Sequence, residues 1–224
     1  MVVIHNGIDV CDYDSGKILG DIRSAFGLSE DTVIIGSTGR IVPRKGYELL
    51  RRAASTVVNN GLIEKGGSVR FVIVGDTPYF FRDDHLVELK RLVADEGLDK
   101  YFIFTGFRND VRPCLKDFYI FVIPSNYPDP FPRSVIEAMS FELPVVGFRV
   151  EGIVESLDDG VTGILCEPGD VEDIGRSVLR LIEDADLRRS MGMRGRDRVI
   201  ENFSAKVVTA EIERNIFEVH RKQS

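Results

Sequence analysis

Two hydrophobic rhythms alternate along this chain. Short, nearly continuous apolar runs occupy residues 33–37, 69–74, 101–104, 120–123, 144–148 and 163–166. Runs of that length and β-branched content read as strands buried on both faces. Between them, apolar positions recur every three or four residues, the spacing of one helix face. Residues 47–59 carry Leu49, Leu50, Ala53, Val57 and Val58 on one side, and Asn60-Gly61 ends the pattern. Residues 85–95 set Leu86, Leu89, Leu92 and Val93 inward, and 133–141 set Val135, Ile136 and Met139 inward. Pro168-Gly169-Asp170 introduces a helix over 171–184 with Asp170 as its N-cap. Helical patterns over 187–199 and 205–220 follow. Strand-then-helix alternation predicts a parallel sheet joined by right-handed crossovers, with helices on both faces. The fold class is therefore α/β, a doubly wound, Rossmann-like parallel sheet. There is no internal repeat and no low-complexity segment.

The chemistry concentrates where predicted strands end, the edge at which open α/β sheets bind ligands. Asp129 and Glu137 stand eight residues apart around Pro130-Phe131-Pro132, one in a loop after the 120–123 strand, the other in the first turns of the next helix. A helix N-terminus there offers unpaired N–H groups and a positive field to an anion, and the neighbouring carboxylates can accept hydrogen bonds from hydroxyls. After the first strand, Arg40 and Lys45 flank 41–44, with Gly39 and Gly46 permitting close backbone approach. Taken alone, this pair also reads as solvated charge in a βα loop. Gly75-Asp76 marks a turn at the same edge, as plain turn chemistry or as part of a site.

The run Asp129-Pro130-Phe131-Pro132-Arg133-Ser134-Val135-Ile136-Glu137-Ala138-Met139 resembles the E-x7-E motif of retaining glycosyltransferases of family 4, commonly E-P-F-G-x-x-x-x-E-A-M. Further matches fall in the family's order: Asn6-Gly7-Ile8-Asp9, Gly39-Arg40 with Lys45-Gly46, Phe104-Thr105-Gly106-Phe107, Leu143-Pro144-Val145-Val146, Gly152-Ile153 with Glu155, and 159–163. The resemblance runs from Ile4 to about Asp170. It implies that Arg40 and Lys45 bind the diphosphate of a nucleotide-diphosphate sugar. It also implies that Glu137 accepts from the ribose hydroxyls, and that Asp129 contacts the transferred sugar near its anomeric carbon. Phe131, Arg133 and Ser134, with Gly39 and Gly75, would complete the donor site, and the loop bearing Arg108 would receive the base. Arg108 is open to stacking on or bonding the base, or to being a solvated arginine; Arg44 is read as a bystander. Two departures stand out. Asp129 is one methylene shorter than the usual Glu, and Pro132 removes an N–H where Gly is common. Glu142, where the family has a small residue, reads as a surface change.

Composition narrows the rest. With 224 residues, the chain suits one domain with a sizeable core. A net charge of −7 argues against a nucleic-acid partner. Cys11, Cys114 and Cys166 lack disulfide or metal spacing and read as reduced core thiols of a cytoplasmic protein. His5, His85 and His220 are scattered away from any metal-ligand pattern, and neither Asp12-Tyr13-Asp14 nor Asp184-Ala185-Asp186 is read as the Asp-x-Asp motif with which metal-dependent transferases hold a divalent metal on the donor phosphates. No metal and no cofactor is expected beyond the donor itself. No apolar run reaches the roughly 18 residues of a membrane span, which leaves peripheral membrane association open for a full enzyme.

By resemblance, residues 1–224 form a single donor-binding domain, the C-terminal half of a GT-B glycosyltransferase. Residues 1–15 would be linker-like and 204–224 a C-terminal helix. The N-terminal acceptor domain would be absent, supplied by a longer protein or a partner chain. Phe203, Val207, Val208, Ile212, Ile216 and Val219 could face that missing half or their own domain. The expected activity is retaining transfer of a hexosyl unit to an acceptor hydroxyl in polysaccharide biosynthesis, with this chain alone inactive. A non-catalytic nucleotide-sugar-binding module and an epimerase-like enzyme stand as alternatives.

Overall fold

The computed structural model describes residues 2–60, 68–81, 84–128 and 130–223. Six parallel strands form one sheet in the order β3-β2-β1-β4-β5-β6: β1 (Thr32–Thr38), β2 (Ser68–Val74), β3 (Phe102–Gly106), β4 (Ile120–Ile123), β5 (Val145–Phe148) and β6 (Gly163–Cys166). The order reverses between β1 and β4, which pair at Ile35–Ile120 and Gly36–Phe121. This is the doubly wound topology with its switch point at that seam.

Every residue of β4 and β5 is buried, as expected for central strands with helices on both faces. Successive side chains alternate between two cores. Ile35, Phe71, Ile73, Ile120, Val122, Val146 and Phe148 point into the first, with α2 (Tyr47–Val58), α3 (His85–Asp95) and α7 (Val171–Glu183). Ile34, Val72, Val74, Phe121 and Val145 point into the second. There they meet α1 (Ile22–Phe26), α4 (Arg112–Asp117), α5 (Arg133–Ser140) and α6 (Ile153–Ser156).

Capping follows the sequence. Asp170 accepts from Asp173 N–H at 2.9 Å to open α7, and Asp184 accepts from Leu187 N–H at 2.8 Å to open α8 (Ala185–Arg198). Where the 187–199 pattern predicted a helix through Val199, α8 ends at Arg198 and widens into a π-helical turn over Val199–Phe203. At this junction the Arg198 guanidinium donates to Ser156 O at 2.9 Å and Glu155 O at 3.1 Å at the end of α6 and to Asp158 Oδ2 at 2.9 Å, and Asn202 Nδ2 donates to the Arg198 carbonyl at 3.0 Å. Tyr101, expected in a strand, closes a 3-10 turn over Asp99–Tyr101 instead. Helices α1, α4 and α6 escaped the pattern because four to six residues cannot display a 3.6-residue period.

The N-terminal segment is docked. Ile8 is buried, its N–H reaches Phe203 O at 3.0 Å, and Ala205 N–H reaches Ile8 O at 2.8 Å. Helix α9 (Ala205–Gln223) packs on its own domain only in part. Phe203 and Val208 pack on the domain, whereas Val207, Ile212 and Ile216 stay exposed; the Val219 side chain lies outside the described set.

The thiols divide as well. Cys114 and Cys166 are buried, and burial pushes both up to about 12. Cys11 is exposed, so the core reading fails for it: it sits on a hydrogen-bonded turn where its N–H reaches Asp9 Oδ1 at 3.0 Å. A thiol reagent near neutral pH should modify Cys11 alone in the native protein and all three cysteines in denaturant. Rapid native labelling of Cys114 or Cys166 would contradict their burial.

A glycine contrast tests the seam. Gly46 (φ +69°) and Gly97 (φ +67°) share left-handed backbone, but a Cβ on Gly46 would overlap the Pro124 carbonyl, while one on Gly97 meets open space. Gly97→Ala should cost about 1 kcal/mol, the backbone term alone. Gly46→Ala should cost about 3 kcal/mol or more, because loop must also move from loop. Urea unfolding of the two variants, compared for midpoint and slope, measures the difference.

Candidate functional site

A cleft of about 450 Å³ opens at the C-terminal edge of the sheet, over the switch point. Its walls come from four strand-following loops and from the N-terminal segment. β1 contributes Thr38, Gly39 and Arg40, then a 3-10 turn, Pro43–Lys45, that brings in Lys45 before α2 starts. β2 contributes Val74, Gly75 and Asp76, and the loop after β3 contributes Phe107, Arg108 and Val111. The β4–α5 connection contributes 130–134 and Glu137, and Asn6 closes the wall from the N-terminal side.

The first three loops are laced together by backbone. Gly39 N–H reaches Val74 O at 3.0 Å, Ile41 N–H reaches Asp76 O at 2.9 Å, and Gly75 N–H reaches Gly106 O at 3.0 Å. Gly75 has φ +151°, and a Cβ there would overlap the Gly39 carbonyl, so this approach demands glycine. On the opposite wall, α5 begins at Arg133, after Pro132 and without a side-chain cap; Val135 N–H turns back to Pro132 O at 3.1 Å, which leaves the amides of Arg133 and Ser134 for a ligand. Phe131 precedes it with φ +45°, a costly conformation for an aromatic residue. It is over-determined by contacts. The ring lies 4.5 Å from His5 and 4.8 Å from Phe203, and its carbonyl accepts from Asn6 Nδ2 at 3.3 Å.

Of the residues singled out in the sequence, Arg40, Lys45, Glu137, Phe131, Arg133, Ser134, Gly39, Gly75 and Arg108 all line this one cleft. Asp129 lies outside the described residues. Arg44 is exposed and away from the cleft. Arg108 is no loose arginine: its Nη1 sits 3.2 Å from Asp21 Oδ2. Glu142 is exposed with φ +58°, which accounts for the position favouring a small residue. Among the described lining residues, Arg40, Lys45, Arg108 and Arg133 face only two carboxylates, Asp76 and Glu137. In a chain of net charge −7, the described lining residues thus carry more cations than carboxylates, which suits a polyanionic ligand. Among the described residues, no group of three or more His, Cys, Asp or Glu is arranged to hold a metal ion.

Sequence reasoning missed two residues here. His5, noted in the sequence only for its lack of metal-ligand spacing, places Nε2 2.6 Å from Glu155 Oε2 while its ring packs on Phe131. Tyr13 donates its hydroxyl to Glu137 Oε1 at 3.0 Å, and burial, aided by the Glu137 charge, pushes its phenol up to about 12. Neither contact leaves a local signal, since the partners lie 150 and 124 positions away.

Comparison with known proteins places this geometry in context. The sequence profile of the family described as Glycosyl transferases group 1 matches residues 20–198. The lipopolysaccharide core biosynthesis glycosyltransferase LpsE of Rhizobium meliloti is 27% identical over 195 residues, covering 87% of this chain and 53% of that protein. The capsular polysaccharide biosynthesis glycosyltransferase CapM of Staphylococcus aureus is 29% identical over 197 residues, covering 83% of this chain and 46% of that protein. Among solved structures, HepE of Anabaena in complex with UDP-glucose superposes with a TM-score of 0.84 at 25% identity, covering 97% of this chain and 57% of that one. The chain spans about half the length of the curated relatives it matches.

Proposed function

The chain belongs to the glycosyl transferases group 1 family, and we propose that its cleft is the donor site of a retaining glycosyltransferase using a nucleotide-diphosphate sugar. The observation that carries this reading is one pocket combining Arg40, Lys45, the uncapped start of α5 and Glu137. A volume of about 450 Å³ falls within the range of small-ligand sites. Arg40 can grip phosphate oxygens with its planar fork, and Lys45 adds a compact charge. The α5 amides complete an anion cradle. Glu137 is the acceptor for nucleoside sugar hydroxyls, and Asp129 is assigned to the transferred sugar.

In the proposed reaction, the bond between the anomeric carbon and the diphosphate breaks, and the diphosphate departs with the electron pair. An acceptor hydroxyl oxygen bonds to the anomeric carbon on the same face, so configuration is kept, and its proton passes to an oxygen of the departing diphosphate. The enzyme's contribution is to stabilise charge on the leaving diphosphate and on the oxocarbenium-like centre. The acceptor side is assigned to further protein beyond these residues, since the matched relatives are about twice as long. The 224 residues alone are then a binding unit without steady turnover, because nothing holds an acceptor in line.

Binding is expected without metal. Calorimetry with UDP, GDP and ADP, with and without EDTA, should give at least one saturable isotherm that the chelator leaves unchanged. No binding, or binding only with a divalent ion, would refute the diphosphate assignment. UDP is the first probe, since the HepE complexes hold UDP or UDP-glucose.

The two carboxylates should separate by ligand. Glu137→Gln should weaken the nucleoside diphosphate itself by about tenfold, the scale of one hydrogen bond to a charged group. Asp129→Asn should leave that affinity intact and weaken only the sugar conjugate. Titrating both variants with both ligands decides the matter, and equal losses throughout would contradict the division of roles.

A further inference from the structure

Tyr13 sits 124 positions from Glu137 in sequence, yet its hydroxyl donates to Glu137 Oε1 at 3.0 Å. Arg133 Nη2 lies 3.4 Å from the same oxygen. Oε1 is therefore engaged twice, while no hydrogen bond from a described residue reaches Oε2. The Glu137 side chain is only 15% exposed, so water competes weakly for these contacts.

Tyr13 is itself held in place. Arg196 Nη1 donates to the Tyr13 carbonyl at 3.2 Å, Arg112 Nη1 to the Asp12 carbonyl at 3.1 Å, and Lys116 Nζ to the Ser15 carbonyl at 2.7 Å. The ring meets Phe141 edge-on, with centroids 6.1 Å apart. A phenol pushed up to about 12 remains a proton donor throughout the neutral range. The turn over 12–15 is thus a clamped platform that delivers one neutral donor to one oxygen of the cleft carboxylate.

We infer that Tyr13 is a positioning residue: it fixes Glu137 so that Oε2 is the acceptor for the nucleoside sugar, and the site selects ribonucleoside over 2′-deoxyribonucleoside diphosphates. The inference rests on the cleft being a nucleoside diphosphate site. Without the Tyr13 hydroxyl, the Glu137 terminal torsion loses a restraint, because a terminal carboxylate rotor is intrinsically broad. Both oxygens then rotate among Arg133, water and ligand, and a ribose hydroxyl loses its fixed partner. Diphosphate contacts at Arg40 and Lys45 lie on the other wall and are independent of this bond.

The test is a double-mutant cycle on the full protein with Tyr13→Phe, Glu137→Gln and the double variant. Ligands are UDP, GDP and ADP, their 2′-deoxy counterparts, and inorganic pyrophosphate. Wild type should prefer the ribo form of the nucleotide it binds by about tenfold, the worth of one hydrogen bond to a charged group. Tyr13→Phe should lose about fivefold toward the ribo form, little toward the deoxy form and nothing toward pyrophosphate, and in the Glu137→Gln background the same change should have no further effect. A thermal melt accompanies each variant, because a purely structural tyrosine would lower the melting temperature and weaken all ligands alike. If no ribonucleotide binds wild type, the donor-site reading itself is wrong, and this inference goes with it. If wild type binds and Tyr13→Phe keeps the full ribo preference, or loses pyrophosphate and both nucleotides equally, the positioning role is overturned while the donor site stands.

Discussion

Everything at the cleft depends on β1 and β4 lying side by side while their following helices leave on opposite faces of the sheet. Helix α2 turns into the core that holds Ile35 and Phe71, and α5 turns into the one that holds Phe121 and Met139. Two strands that part in this way leave a gap at their C-terminal ends which no crossover covers. The gap would splay unless something held the loops together. Here the backbone of Gly46 rests against the Pro124 carbonyl, and there is no space for a side chain between them. That contact sets the distance between the wall carrying Arg40 and Lys45 and the wall carrying the α5 N-terminus.

The same geometry explains how an acidic chain gathers cations around its cleft. Much of its arginine is spent close by: Arg91 on Glu88 and Asp95, Arg112 on Asp110, Arg149 on Asp159 and Glu167. Such exposed pairs are each worth little to stability, but they remove net charge locally. In the cleft the balance differs, because loop ends bring cations from separate strands against few carboxylates. Two of those cations are already directed. Arg108 is tied to Asp21, and Arg133 leans on Glu137, so neither is oriented for phosphate alone. Arg40 is exposed at the cleft wall, and no ion pair ties it to another described residue.

The strand-and-helix order was legible because buried parallel strands and amphipathic helices write their own periods into sequence. Strands β4 and β6 and helix α3 fall on the expected residues. The ends of longer helices were less legible, since they are decided by partners. Arg198, the last residue of α8, is held by the Ser156 and Glu155 carbonyls, 42 and 43 positions away. Cys11 shows the reverse error: a residue type that is usually buried sits on an exposed turn, where its N–H donates to Asp9 Oδ1. The cleft residues could be gathered from sequence since each follows a strand at one edge. Tyr13 and His5 could not, because a docked N-terminal segment carries no period and its partners are named only by the fold.

That docked segment also changes what a linker does. Ile8 bonds on both sides to the Phe203–Ala205 backbone, like a short extra strand beside the end of the π-helical turn. From that anchor the chain runs in both directions into the cleft. Upstream, His5 packs on Phe131 and Asn6 holds its carbonyl, which keeps the strained residue before α5 in place. Downstream, Tyr13 reaches Glu137 one turn into the same helix. One segment thus touches α5 just before its first residue and at its second turn, with a buried isoleucine as the fulcrum between them. A displacement of the segment would therefore move the first-turn amides of α5 and the Glu137 carboxylate together. The segment is thus a single short lever on the α5 wall of the cleft, reaching it at both Phe131 and Glu137.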